Sequence, residues 1–159
     1  MKLIEILAIA VASIPCCAQG PKKADVFSGQ AVTSQLSALM QAAKVPGSSG
    51  ATLGDYTSHS IKLSVRTSSG GAEVHAHYDD VFFVTEGKAT LVTGGDVIQP
   101  KMDSDGETKG SGIENGRSEM ISKGDVVHIP AGVPHQLRIA PGEVYSSIVV
   151  KVREPSAQH

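Results

Sequence analysis

Between Ser60 and Thr67 the chain alternates residue by residue, with Ile61, Leu63 and Val65 on one side and Ser60, Lys62, Ser64 and Arg66 on the other. A period of two is that of a strand with one face buried and one wet. It sends the Arg66 side chain, and by the same rule that of Arg138, outward. Seven further short runs rich in Val, Ile and Thr share this character, so strands are predicted at 51–58, 60–67, 72–77, 81–85, 88–92, 126–130, 135–139 and 144–152. Eight strands separated by Gly- and Pro-containing turns predict an all-β fold, a barrel or jelly roll. One helical stretch precedes them. Ser28 is placed to cap it, Val32, Leu36, Leu39, Met40 and Ala43 share one face, and Val45-Pro46-Gly47 ends it. It is expected to pack over an open barrel end and to carry no chemistry. The stretch 99–123 breaks the strand rhythm and reads as a long surface loop. Its Asp103, Asp105 and Glu107 alternate around Gly106, but the later ligands of an EF-hand calcium loop are missing, so a solvated acidic loop is expected. Loops of this length also serve as lids.

Charge and length narrow the classes of partner. The 159 residues suit one domain, and 14 Lys and Arg against 16 Asp and Glu leave a net charge of -2, without a basic stripe for nucleic acid or an anionic membrane. Helical bundles and Rossmann folds are excluded by 17 Gly and 8 Pro among short β-branched runs. At the N-terminus, Lys2 precedes an apolar run from Leu3 to Ile14, followed by the small residues Cys16-Cys17-Ala18. This is the pattern of a secretory signal cleaved after Ala18; about 12 apolar residues are short for a membrane span of ~20. The expected organisation is therefore a signal peptide over 1–18, a leader and helix over 19–50 and a barrel over 51–153. The product is expected to be periplasmic or extracellular, without integral membrane contact. Both cysteines fall before the cleavage point, which excludes disulfides and thiolate chemistry from the exported chain.

Chemistry is concentrated in the histidines. His59 has no motif around it and His159 is terminal, whereas His75, His77, His128 and His135 sit in two turn-bounded strand segments. Residues two apart on a strand point to one side, so His75 and His77 can meet one cation. Asp79 and Asp80 supply carboxylates at the start of the next strand. His135 follows the turn Pro130-Ala131-Gly132-Val133-Pro134. Imidazoles with one carboxylate are a familiar donor set for a divalent metal with open positions.

From Ser69 to Ile139 the sequence resembles the cupin superfamily, whose small β-barrels hold one metal on ligands from two motifs. The first motif is Gly, five residues, His-x-His, three or four residues, Glu, six residues, Gly. Here Gly70 to Asp80 and then Gly87 match it with Gly70 one residue late and only two residues between His77 and Asp80; His75-Ala76-His77 is the histidine pair and Asp80, counted back from Gly87, stands in the place of Glu. The second motif is Gly, five residues, Pro-x-Gly, two residues, His, three residues, Asn. It fits Gly124, Pro130-Ala131-Gly132 and His135, with Ile139 at the Asn position. The resemblance implies a cupin-type jelly-roll barrel, assembly as a homodimer, and one divalent transition metal (iron, manganese, nickel, zinc or copper) on His75, His77, His135 and Asp80. Asp79 as substitute ligand, or three histidines alone, are the alternatives.

Other residues take roles around that centre. Glu73 shares strand parity with His75 and His77 and is a candidate general acid or base, as is His128. Phe82, Val84, Leu137 and Ile139 share the parity of Asp80 and His135 and are expected to form apolar walls. The function expected is a metal-dependent enzyme acting on a small molecule, of dioxygenase, decarboxylase, isomerase or lyase type. The alternatives are a non-catalytic module binding a sugar, small acid or metal, and a barrel that the metal merely stiffens.

Overall fold

The computed structural model describes residues 23–155, so the predicted signal segment, both cysteines and His159 lie outside the described residues. Helix α1 spans Gly29–Ala43, and Ser28 caps it, its hydroxyl accepting from the Ala31 N–H. Twelve strands follow: β1 Ser48–Asp55, β2 His59–Arg66, β3 Ala72–His75, β4 Tyr78–Thr93, β5 Asp96–Ile98, β6 Lys101–Met102, β7 Glu107–Gly110, β8 Gly112–Glu114, β9 Arg117–Ser122, β10 Val126–Ile129, β11 His135–Arg138 and β12 Tyr145–Arg153. No helix of the described residues is long and apolar enough to cross a membrane.

Strand β4 organises the barrel. Its first half pairs with β12 and β10 and its second half with β9 and β11, so one strand belongs to two layers. One layer runs β1-β2-β12-β4-β10 and the other β6-β7-β3-β11-β4-β9. The sequence predicts two strands here, 81–85 and 88–92, with Glu86-Gly87 as a break. The structure keeps hydrogen bonding through the break and puts the bend in a bulge. Gly87, paired with Tyr145, has φ +74°, and two residues before it Thr85 is the extra residue where the register slips between Ser146 and Ser147. A Cβ at Gly87 would run into the Val144 carbonyl, so the bend requires glycine.

The layers enclose a core of Phe82, Val84, Ala89, Leu91, Ile121, Ile129, Leu137, Ile139 and Tyr145, which includes all four residues expected as apolar walls. Two expectations fail for one reason. The Ile61, Leu63, Val65 face of β2 does not point into the barrel; it lies outside, where α1 packs against β1 and β2, and Leu63 and Val65 are buried there. Helix α1 thus covers the outer face of a sheet and not a barrel end. The face carrying Lys62 and Arg66 looks inward, where Arg66 opposes Tyr145 of β12.

The stretch read as a long loop is instead a run of short strands. β6 and β7 form a hairpin that pairs with β3, β9 pairs with β4, and β5 and β8 make a separate two-stranded sheet over Val92 and Ala72. Two- to four-residue strands rich in Gly and Lys bury too few side chains to show a period. The Asp103 carboxylate accepts from the Asp105 and Glu107 N–H groups, so it serves the hairpin turn.

Candidate metal centre

Between the two layers, near one end of the barrel, four side chains converge. His75 closes β3, Glu73 lies two residues before it on the same face, His135 opens β11 directly opposite Glu73, and Asp80 comes from β4 in the other layer. His75 Nε2 is 3.3 Å from Asp80 Oδ2 and 3.8 Å from Glu73 Oε2, and His135 Nε2 is 3.7 Å from Asp80 Oδ2. The ring centroids of His75 and His135 are 5.1 Å apart. His75, Asp80 and His135 are buried and Glu73 is half-buried.

The second ring nitrogens are occupied from behind. His135 Nδ1 lies 3.1 Å from the Val133 carbonyl, which can only accept, so Nδ1 carries the proton and the Nε2 lone pair faces the group. His75 Nδ1 contacts the Glu107 carboxylate, its register partner on β7, with the same effect. A carboxylate or carbonyl behind an imidazole is the usual device for fixing the tautomer of a metal-binding histidine. Asp80 Oδ1 lies 3.3 Å from Lys151 Nζ without hydrogen-bond alignment and has no other partner. Glu73 Oε1 lies 3.9 Å from Arg66 Nη2.

Burial and charge compete at each group. Burial alone would lower the His75 pKa, but the hydrogen bond and charge of Asp80, with Glu107 behind, carry it above its ordinary value. For His135 burial wins and the pKa falls. Burial would raise the Asp80 pKa, yet His75 and Lys151 together hold it below the ordinary carboxylate value.

The donors fit a divalent ion. With bonds of about 2.1 Å, donor atoms around one ion sit about 3.0–3.4 Å apart. The Nε2 and carboxylate oxygens here need only a small contraction to reach that, and the donor atoms of Glu73, His75 and His135 all lie within 4.8 Å of one another. A void of about 20 Å³ beside Glu73, His135 and Phe82 is the size of one water or ligand atom group. On the other side, a cavity of about 1400 Å³ opens at the barrel end, bordered by Glu107, Lys151, His77, Tyr78 and Lys62.

Solved structures carry the same architecture at low identity. A Klebsiella pneumoniae protein with a double-stranded β-helix domain shares 13% identity at TM-score 0.57, over 85% of this chain and 95% of that one. The Schizosaccharomyces pombe Cnp3 cupin domain shares 12% at TM-score 0.51, over 67% and 65%. This chain has the cupin fold. The polyketide cyclase RemF from Streptomyces resistomycificus is similar too, with 19% identity at TM-score 0.50 over 71% of this chain and 74% of that one. No family model matches the chain, and no curated protein matches it by sequence.

Within this cupin barrel, the histidine pair of the sequence reading does not converge. β3 ends at His75, and the turn Ala76-His77 carries His77 to an exposed position beside Gly106. Two-residue alternation holds only on a strand, and the pair that obeys it is Glu73 and His75. The first motif therefore reads in the structure as Glu73-x-His75, four residues, Asp80, six residues, Gly87. Glu73, and not His77, stands beside His75 in the donor group. His128 and Asp79 are also elsewhere. They bond each other at 3.1 Å, and Asp79 accepts from the Ala131 N–H at 2.8 Å. His128 is exposed, and strand parity puts both on the outer face, opposite to Asp80. They pin the 130–134 turn to β4. Arg66, expected outside, contacts Glu73 inside. Glu107, expected in a solvated acidic loop, instead meets His75, and Lys151 was not singled out by sequence: β7 shows no period, and Lys151 is one cation in an otherwise ordinary strand.

Proposed function

We propose that the chain is an exported cupin that binds one divalent transition metal on His75, His135, Asp80 and Glu73 and uses it on a small molecule. The observation that carries this reading is the pair of imidazoles whose Nδ1 atoms are engaged from behind while their Nε2 atoms face two carboxylates. Iron, manganese, nickel, zinc and copper all accept such nitrogen and oxygen donors. When bound, the ion supplies Lewis-acid polarisation of a substrate oxygen or reactivity toward dioxygen. The chain's own part is specific. Glu107 holds a proton on His75 Nδ1, Val133 does so on His135, Lys151 and Arg66 balance the carboxylates of Asp80 and Glu73, and Phe82, Val84 and Leu137 keep water from the inner side.

Catalysis is favoured over simple capture by the large cavity, whose lining residues Glu107 and Lys151 contact His75 and Asp80 of the donor group, and RemF, similar in fold, is a polyketide cyclase. The test is elemental analysis of the purified protein beside His135→Ala and Glu73→Ala variants. One metal per wild-type chain and its loss in both variants is expected. Wild-type protein that stays metal-free after incubation with each ion would end this reading. Fractionation of expressing cells should find the chain outside the cytoplasm; retention inside contradicts export. A homodimer is part of the same proposal, supported by exposed Phe83 and Val126, register partners on the outer face of β4 and β10. Sedimentation at a monomer's mass would remove it.

A further inference from the structure

The inner face of β2 and β12 puts Lys62, Lys151 and Arg153 along one wall of the large cavity. Lys62 is paired with Val149 and Lys151 with Ser60, so the two lysines are diagonal neighbours with backbones roughly 7–8 Å apart. Like charges at that spacing repel unless something offsets them. Asp80 offsets Lys151. Among the described residues, Lys62 and Arg153 form no ion pair; the Arg153 guanidinium donates to the Tyr78 hydroxyl at 3.2 Å, and both Lys151 and Arg153 lie 5.6 Å from the Tyr78 ring. The remaining carboxylates of the cavity, Asp55, Asp105 and Glu154, are exposed at a strand end, a hairpin tip and the tail after β12, while Glu107 is committed to His75.

Resting on the metal reading above, the charges in contact at the centre are Glu73, Asp80 and Glu107 against Arg66, Lys151 and a divalent ion, a net positive site. Lys62 and Arg153, without an ion pair among the described residues, line the same cavity as Glu107 and Lys151. We propose that the cavity takes a small organic anion, a carboxylate or phosphate bearing two negative charges, held by Lys62 and Arg153 with its other end toward Lys151 and the centre. The Arg153 fork and the point charge of Lys62 suit oxyanions, whereas neutral sugars gain nothing from either.

Calorimetric titration of the full-length protein with succinate, with inorganic phosphate and with ribitol tests this, each sample being assayed for metal. Wild-type protein should bind succinate or phosphate and not ribitol, and the tighter of the two identifies the charged group. A Lys62→Met, Arg153→Met double variant should bind it at least tenfold more weakly with metal content unchanged, and Lys62→Arg, Arg153→Lys should restore most of the affinity. Equal affinity in the Met variant, or binding of ribitol alone, overturns the proposal. The metal assay separates the two readings: metal-free wild-type protein that still binds the anion through Lys62 and Arg153 removes the centre and keeps this site.

Discussion

Glu107 is the residue through which the proposed centre is most open to a mild perturbation. Its carboxylate meets His75 Nδ1 from outside the donor group, so Glu107→Gln keeps the shape and removes the charge that fixes the imidazole. Partners of this kind are worth about 10–100-fold in metal affinity. A competition titration with a chromophoric chelator should show that loss while circular dichroism stays native; unchanged affinity would mean Glu107 merely closes the hairpin. Tyr145 gives a second prediction at this scale. It is fully buried, its hydroxyl has no hydrogen-bond partner, and burial raises its pKa above the ordinary value of 10.0. The neutral phenol is therefore favoured in the folded chain. Its stabilisation is present below pH 10 and is lost as pH rises through the raised folded value. Urea midpoints from pH 8 to 11 should fall more steeply for wild type than for Tyr145→Phe; parallel curves would show that Tyr145 does not titrate with unfolding. Among single residues the sequence made His75, His135 and Asp80 legible, because fixed spacing marked them. Glu107 and Lys151 reach the site through tertiary pairing, which leaves no local signature.

At the scale of elements, the end of β3 decides which side chains face the barrel. His77→Ala should leave bound metal unchanged, because the Ala76-His77 turn puts it outside the donor group, while Glu73→Ala should abolish it. The opposite ranking in elemental analysis would restore the histidine pair as drawn from spacing alone. The reason spacing misled is physical: a strand's alternation stops where the strand stops, and nothing in Val74-His75-Ala76-His77 marks that point. The same limit applied to β2. Its period of two was legible, but alternation does not say which face is the barrel's, and here a helix buries the apolar side from outside. Leu63→Ala, at 1% exposure under that cover, should cost about 2–5 kcal/mol in urea denaturation. A loss below ~1 kcal/mol would mean that α1 does not seal this face. On the opposite face of the same strand Lys62 is exposed at the cavity wall, the side on which the proposed anion would bind.

For the whole molecule, the proposed ion stands where the two layers of the barrel meet. Its four donors come from β3 and β11 on one side and the first half of β4 on the other, so the ion would tie that first half to β11, which pairs only with the second half of β4, and to β3, which does not pair with β4. A ligand that binds the folded chain and not the unfolded one stabilises by RT ln(1 + [L]/Kd), about 2.7 kcal/mol at a hundredfold excess over Kd. Chelation should therefore lower Tm by several degrees, and readdition of the ion should restore it in a concentration-dependent way. The barrel itself should survive, since the Phe82, Leu91, Ile121 and Tyr145 core and the continuous pairing of β4 are independent of the donor group. Two scans decide between a centre that works and an ion that merely stiffens. In a working centre, chelation abolishes ligand turnover while most of the melting temperature remains. Collapse of the β-sheet circular dichroism on chelation at 25 °C would instead assign the ion to the folding of the chain, and an unchanged Tm with and without metal would show that the four side chains hold no ion at all.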